Sequence, residues 1–199
     1  MGNNGNGYTI VLYNLLAILI VMIWGASFVA TKVLLNVGLE PLMIYLLRFS
    51  IAYIVISMFR FKRLWADSVR DELLFMICGV TGGVLYYVSE NMALDYTYVA
   101  NVSLIVSLTP IFTAMFISLF YRADRVGGLF FVGSLIAIAG VGVVVLSDAD
   151  GKVGFNLIGD LLSLIAAISW GVYSLILRGL IVKYNADFVT RKTLFYGVV

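Results

Sequence analysis

Histidine is absent from this 199-residue chain, cysteine occurs once and proline twice. Charge is scarce as well: Asp, Glu, Lys and Arg make up 12% of the residues, against about a quarter in soluble domains. Each shortage excludes something. Without histidine there is no imidazole metal ligand, no serine–histidine pair and no imidazole proton relay. With Cys78 alone, no disulfide framework forms within the chain. Gly159-Asp160 lacks a glycine two positions before Gly159, where Leu157 stands, so the GxGD signature of intramembrane aspartyl proteases is missing. No nucleophile–base or metal constellation is left, and neither an enzyme nor a cofactor is expected.

What remains is apolar. Hydrophobic residues reach 62%, and the mean hydropathy is +1.05. No charged residue occurs from Met1 to Thr31, from Tyr96 to Tyr121, or from Val126 to Ser147. Each run supplies the roughly 20 residues that a helix needs to cross the hydrocarbon core. The fold class is therefore all-α integral membrane, with the lipid bilayer as its surroundings and no feature that points to nucleic acid. Hydropathy places helices at about 10–35, 41–59, 73–95, 97–121, 126–147 and 157–182. The Asn/Gly-rich residues 1–9 read as a disordered tail, and 187–199 as a partial helix at which the chain stops, as in a fragment of a longer protein.

Basic residues set the orientation. With the N-terminus in the cytoplasm, ten cations fall inside: Arg60, Lys62, Arg63, Arg70, Arg122, Arg125, Arg178, Lys183, Arg191 and Lys192. Only Lys32 and Lys152 fall outside, and Arg48 lies within a helix. Ten against two is a strong bias, and it predicts a cytoplasmic N-terminus.

A short internal repeat adds architecture. Leu15-Leu16, Trp24-Gly25 and Lys32 recur as Leu161-Leu162, Trp170-Gly171 and Arg178, each 146 positions later, and Phe49 matches Phe195. Five helices separate the copies, so the second is inverted relative to the first. That is how many secondary transporters are built. The copies divide the chain into a first repeat over 10–152 and the start of a second over 153–199. Trp24 and Trp170 fall near the middle of their helices, although tryptophan prefers the interface. They are cavity-lining candidates, with helix packing as the alternative.

Glu90 is the sharpest single residue. An acid inside a spanning helix costs about 2.5–3.5 kcal/mol on insertion scales, so it usually faces a cavity or a partner. On a 100° wheel Gly79, Gly83, Tyr86, Tyr87 and Glu90 share one face. Glu90 is the candidate for proton coupling, and Gly79 with Gly83 for close helix packing. Arg48 lies at similar depth and is its expected partner, while Asn91 and Asn101 would complete a polar patch. In the next helix Thr97 and Asn101 share one face, whereas Ser103, Ser107, Pro110 and Ala114 share the other. One of these faces meets the cavity. Pro110 frees the carbonyl of Val106 and predicts a kink. Tyr173 and Ser174 join Trp170 as a wall of the second half, and Gly133 with Ala137 reads as scaffold packing.

Together these elements resemble the drug/metabolite transporter superfamily, in particular its EamA-type members. The resemblance rests on Trp24-Gly25-x-x-Phe28, Lys32, Pro41, Arg48-Phe49, Ala93-Leu94, Ala100, Pro110-Ile111-Phe112 and the glycines Gly133, Gly140 and Gly142. It implies two inverted five-helix repeats, of which about six and a half helices are here. It also implies transport or export of a small organic metabolite or drug across a bacterial cytoplasmic (inner) membrane by alternating access, with protons as a possible coupling partner. Glu90 departs from the pattern, standing where many relatives are apolar. The alternative reading is a non-transporting membrane scaffold or a degenerate transporter fragment.

Overall fold

The computed structural model describes residues 4–59, 64–121, 127–147 and 156–199. Among these the fold is all helical, with no strand. Helix α1 covers Asn4–Asn36 and α2 Pro41–Phe59. Helix α3 spans Val69–Tyr96, α-helical at both ends and π-helical over Val80–Val88. Helix α4 is split into Val99–Val106 and Thr109–Phe120. Helices α5, α6 and α7 cover Gly128–Ser147, Leu157–Ile181 and Ala186–Val198. Among the described residues, α1 to α4 and α6 are long and apolar enough to cross a membrane.

Helix α1 starts at Asn4, inside the segment expected to be a disordered tail. Arg60, Lys62, Arg63, Arg122, Arg125 and Lys152, which enter the orientation argument, lie outside the described residues, as do Met1 to Asn3.

Local chemistry sets the helix ends. Gly38 adopts a positive φ of 93°, and Leu39 N–H donates to the Leu34 carbonyl at 3.2 Å, a Schellman closure of α1. Pro41 then opens α2, where its missing N–H costs nothing. The Ser68 side chain accepts from Asp71 N–H at 3.1 Å to start α3, and the Asn156 side chain accepts from Gly159 N–H at 3.0 Å to start α6.

Helix α3 sits at the centre. In its most apolar stretch 44% of residues are buried, against none in that of α1, whose buried residues Phe28, Thr31 and Leu35 lie toward its C-terminal end. Helix α6 packs along α3 and α4, α7 along α3 and α2, and α5 along α4. Glycine permits the closest of these approaches. A Cβ on Gly82 would sit 2.5 Å from the Tyr173 ring, and one on Gly79 would sit 2.6 Å from Tyr196 Cβ. The π-helical stretch bonds i→i+5, which brings residues four apart into line. The single face expected on a 100° wheel is therefore two stripes. Gly79, Gly83 and Tyr87 face α2 and α7, whereas Gly82 and Tyr86 face α6.

The packing expected at Gly133 and Ala137 is corrected. A Cβ on Gly133 would meet nothing within 4 Å, and Ala137 is exposed. Helix α5 approaches α4 instead at Gly142, beside Leu104. Small-residue spacing marks a face that permits close packing, and here no described helix uses it.

Candidate functional site

One face each of α1, α4 and α6, with Phe130 of α5, lines an open cavity of about 780 Å³. Helix α1 supplies Val21, Trp24, Gly25 and Phe28. Helix α4 supplies the stripe Ser103, Ser107, Pro110, Ala114 and Ile117, and α6 supplies Trp170, Ser174 and Arg178 at four-residue intervals. The volume falls within the range of small-molecule sites, and the walls are mainly apolar with few polar groups, as such sites are. Of the two faces of α4 it is the serine face that lines the cavity. Thr97 and Asn101 are buried on the other, where Thr97 packs beside Gly159.

The break in α4 lies on the cavity wall and has a specific cause. Pro110 has no N–H to offer the Val106 carbonyl. The Thr109 hydroxyl donates to that carbonyl instead, at 2.6 Å, so the interruption leaves it satisfied. Ser103 and Ser107 hydroxyls donate to the carbonyls of Ala100 and Leu104 at 2.9 and 2.5 Å. Their oxygens remain available as acceptors.

Trp24 and Trp170 meet at the cavity wall, with ring centroids 5.3 Å apart. Tyr86 stacks behind Trp170 at 4.7 Å and Tyr173 beside it at 5.1 Å. The structure thus brings Trp24, Trp170, Tyr86 and Tyr173 together in one aromatic cluster, but only the two tryptophans line the cavity.

The remaining candidates form a separate buried patch. Glu90 and Asn91 are fully buried, and neither Glu90 carboxylate oxygen has a hydrogen-bond partner among the described residues. The Tyr86 hydroxyl and the Arg48 guanidinium are the polar and charged neighbours of Glu90. Asn91 donates to the Pro41 carbonyl at 3.0 Å. The expected Arg48–Glu90 ion pair is not made: Arg48 turns toward α1 and donates to the Thr31 hydroxyl at 3.2 Å, with its guanidinium 5.7 Å from the Tyr87 ring centre. Lys32 donates to the carbonyls of Leu94 and Thr97, at the end of α3 where the helix dipole is negative. Arg48, Tyr87, Glu90, Asn91 and Asn101 are therefore not on the cavity wall.

At the opposite end of α3, charges tie it to α6 and α7. Asp71 accepts from Lys183 at 3.2 Å and from Tyr184 at 2.9 Å. Glu72 accepts from Lys192, Tyr196 and Ala66 N–H. Burial and the neighbouring Asp71 carboxylate raise the Tyr184 hydroxyl above its ordinary pKa, which keeps it a donor.

Sequence reasoning expected Ser174 on the wall with Trp170 but missed Phe28 and Arg178. The signal was present in the spacing Trp170, Ser174, Arg178, one face of one helix over two turns.

Residues 11–146 match the EamA-like transporter family, more than half of the chain. The chain belongs to this family. The EamA-like chain is 29% identical over 184 residues to an uncharacterized transporter of Archaeoglobus fulgidus, covering 91% of itself and 63% of that protein. It is 26% identical over 174 residues to the uncharacterized transporter YdfC of Bacillus subtilis, at 86% and 56% coverage. A probable terminal-alkyne amino-acid exporter of Streptantibioticus cattleyicolor is 25% identical over 186 residues, at 92% and 60%. The chain thus spans less than two thirds of the length of these relatives. No solved structure matches it at a significant level. Family and helices together make this EamA-like protein an all-α, multi-pass integral membrane protein.

Proposed function

We propose that the protein acts as a secondary transporter that moves a small organic molecule across the cytoplasmic membrane by alternating access. The observation that carries this reading is the meeting of Trp24 and Trp170 at the cavity wall. They are counterparts in the two repeat copies, so the cavity lies where the two halves face each other. Rocking of one half against the other changes access at such a place. The distribution of basic residues supports a cytoplasmic N-terminus and an inverted second copy. On that orientation Arg178 is at the cytoplasmic end of α6 and the Glu90 patch is toward the outer end of α3. Export fits the Streptantibioticus relative, a probable amino-acid exporter, whose cargo also suggests the size of molecule.

Glu90 is the proposed proton carrier. Its carboxylate is enclosed and unpartnered, a costly state for a charged group and a tolerable one for a neutral acid. Arg48 is one helix away and bonded only weakly to Thr31 at 3.2 Å. Release of the proton would draw Arg48 from α1 to α3 and so couple protonation to the packing of the first repeat.

Counterflow in proteoliposomes, with a panel of amino acids, nucleobases, sugars and drugs, tests the reading. Exchange of one class is the expected result. An inserted, folded protein that exchanges none of them contradicts it.

A further inference from the structure

We infer that the groove at the Arg70 end of the bundle binds one anionic phospholipid, with the phosphate at Arg70 and Lys183 and an acyl chain along the apolar wall beside them. This goes beyond the transport reading and does not depend on it.

The groove holds about 510 Å³ and lies between α3, α4 and α6, apart from the cavity at the two tryptophans. The first turn of α3 meets the C-terminal ends of α4 and α6 there, so its charged rim is where spanning helices leave the hydrocarbon. From Lys183 back to Leu175 the α6 side runs about 12 Å by helical rise, most of the depth of one leaflet's hydrocarbon.

Among the described residues that line the groove, three are charged: Arg70, Asp71 and Lys183. The Asp71 carboxylate is buried, and its charge is balanced by Lys183 at 3.2 Å. That pairing does not use up the ammonium. Lys183 donates to both Asp71 oxygens, which leaves the third of its three protons, and its side chain is 59% exposed. Arg70 is exposed and has no hydrogen-bond or ion-pair partner among the described residues. It stands in the first turn of α3, where the helix dipole favours acids, so the helix gains nothing from it. The three charges sum to one positive charge, which a single phosphodiester neutralises.

The wall decides between a soluble anion and a lipid. Leu74, Phe120, Leu175 and Ile176 line the groove beside the cations, and Phe120 is 66% exposed. A soluble phosphate compound would use the charges and leave this surface empty. A phospholipid uses both, its phosphate at the interface and its chain along the apolar side chains, as at other basic pockets between spanning helices.

The test is native mass spectrometry of the chain released from nanodiscs that hold equal amounts of phosphatidylglycerol and phosphatidylcholine with the same acyl chains. One phosphatidylglycerol should be retained about fivefold or more over phosphatidylcholine, the scale of one cation at an anionic membrane surface. Arg70→Gln should bring the two lipids to parity, and Arg70→Lys should keep most of the preference. Phe120→Ala, which changes no charge, should lower retention of phosphatidylglycerol. Both side chains are exposed, so the unfolding temperatures of these variants should match wild type. Equal retention of the two lipids by the wild-type chain, or a preference that survives Arg70→Gln, overturns the site. Unchanged retention in Phe120→Ala overturns the acyl groove, and displacement of the lipid by soluble glycerophosphoglycerol at equal concentration overturns the choice of a lipid.

Discussion

The rings of Trp24 and Trp170 lie 5.3 Å apart at an interplanar angle of 48°. Their positions differ by 146 in the chain, and they are the same position of a repeated pattern. Two copies related by a two-fold axis bring a residue against its own counterpart only near that axis. The second helices of the copies meet as well: Tyr45 in α2 donates its hydroxyl to the Gly197 carbonyl in α7, and Tyr53 lies 5.8 Å from Phe195.

An aromatic pair of this geometry is worth about 0.5–1.5 kcal/mol beyond the area it buries. Trp24→Ala and Trp170→Ala should each impair transport strongly while the protein still inserts. A double-mutant cycle on thermal unfolding should give a coupling of about 0.5–1.5 kcal/mol. Strictly additive losses would mean that the rings do not act together.

The glycines that follow the two tryptophans behave differently. A Cβ on Gly171 would meet the Phe116 ring at 2.9 Å, whereas one on Gly25 would meet nothing within 4 Å. Gly171→Ala should destabilise by about 1–3 kcal/mol through overpacking. Gly25→Ala should be neutral or stabilising by up to about 1 kcal/mol, from helix propensity alone. Unfolding temperatures in detergent decide between the two.

Thr109 supplies the donor that Pro110 cannot. Thr109→Val removes it and leaves the Val106 carbonyl buried without a partner, at a cost of about 1–3 kcal/mol. Thr109→Ser keeps the hydroxyl and should unfold close to wild type. A Val variant as stable as the Ser variant would show that the carbonyl finds another partner.

Glu90→Gln preserves shape and removes the ionisable group. Counterflow, which needs no net proton movement, should continue, and stimulation of transport by an imposed pH gradient should disappear. Gradient-driven transport at the wild-type rate would assign coupling elsewhere.

Much of this was legible in the residues, and the gaps have physical causes. Charge-free runs locate helices because hydrocarbon tolerates little else, and the Val106–Pro110 stretch announces its own break. The Trp24–Trp170 contact follows from a repeat whose counterparts share an axis. The Glu90 face was misread because a wheel at 100° assumes α-helix throughout, whereas Val80–Val88 is π-helical. Arg48 was matched to Glu90 by depth along the membrane, but depth says nothing about the direction in which a long side chain turns. Which face of α4 meets the cavity stayed open because hydroxyls bonded to their own helix are common on packing and cavity faces alike.

The central claim is that the cavity between α1, α4 and α6 is where the substrate sits. The direct measurement is the rate at which a maleimide labels Ser107→Cys, in a background where the buried Cys78 is replaced by Ala. A compound shown by counterflow to be transported should slow this labelling as it saturates the site. Labelling at an unchanged rate with that compound at saturation would contradict the account.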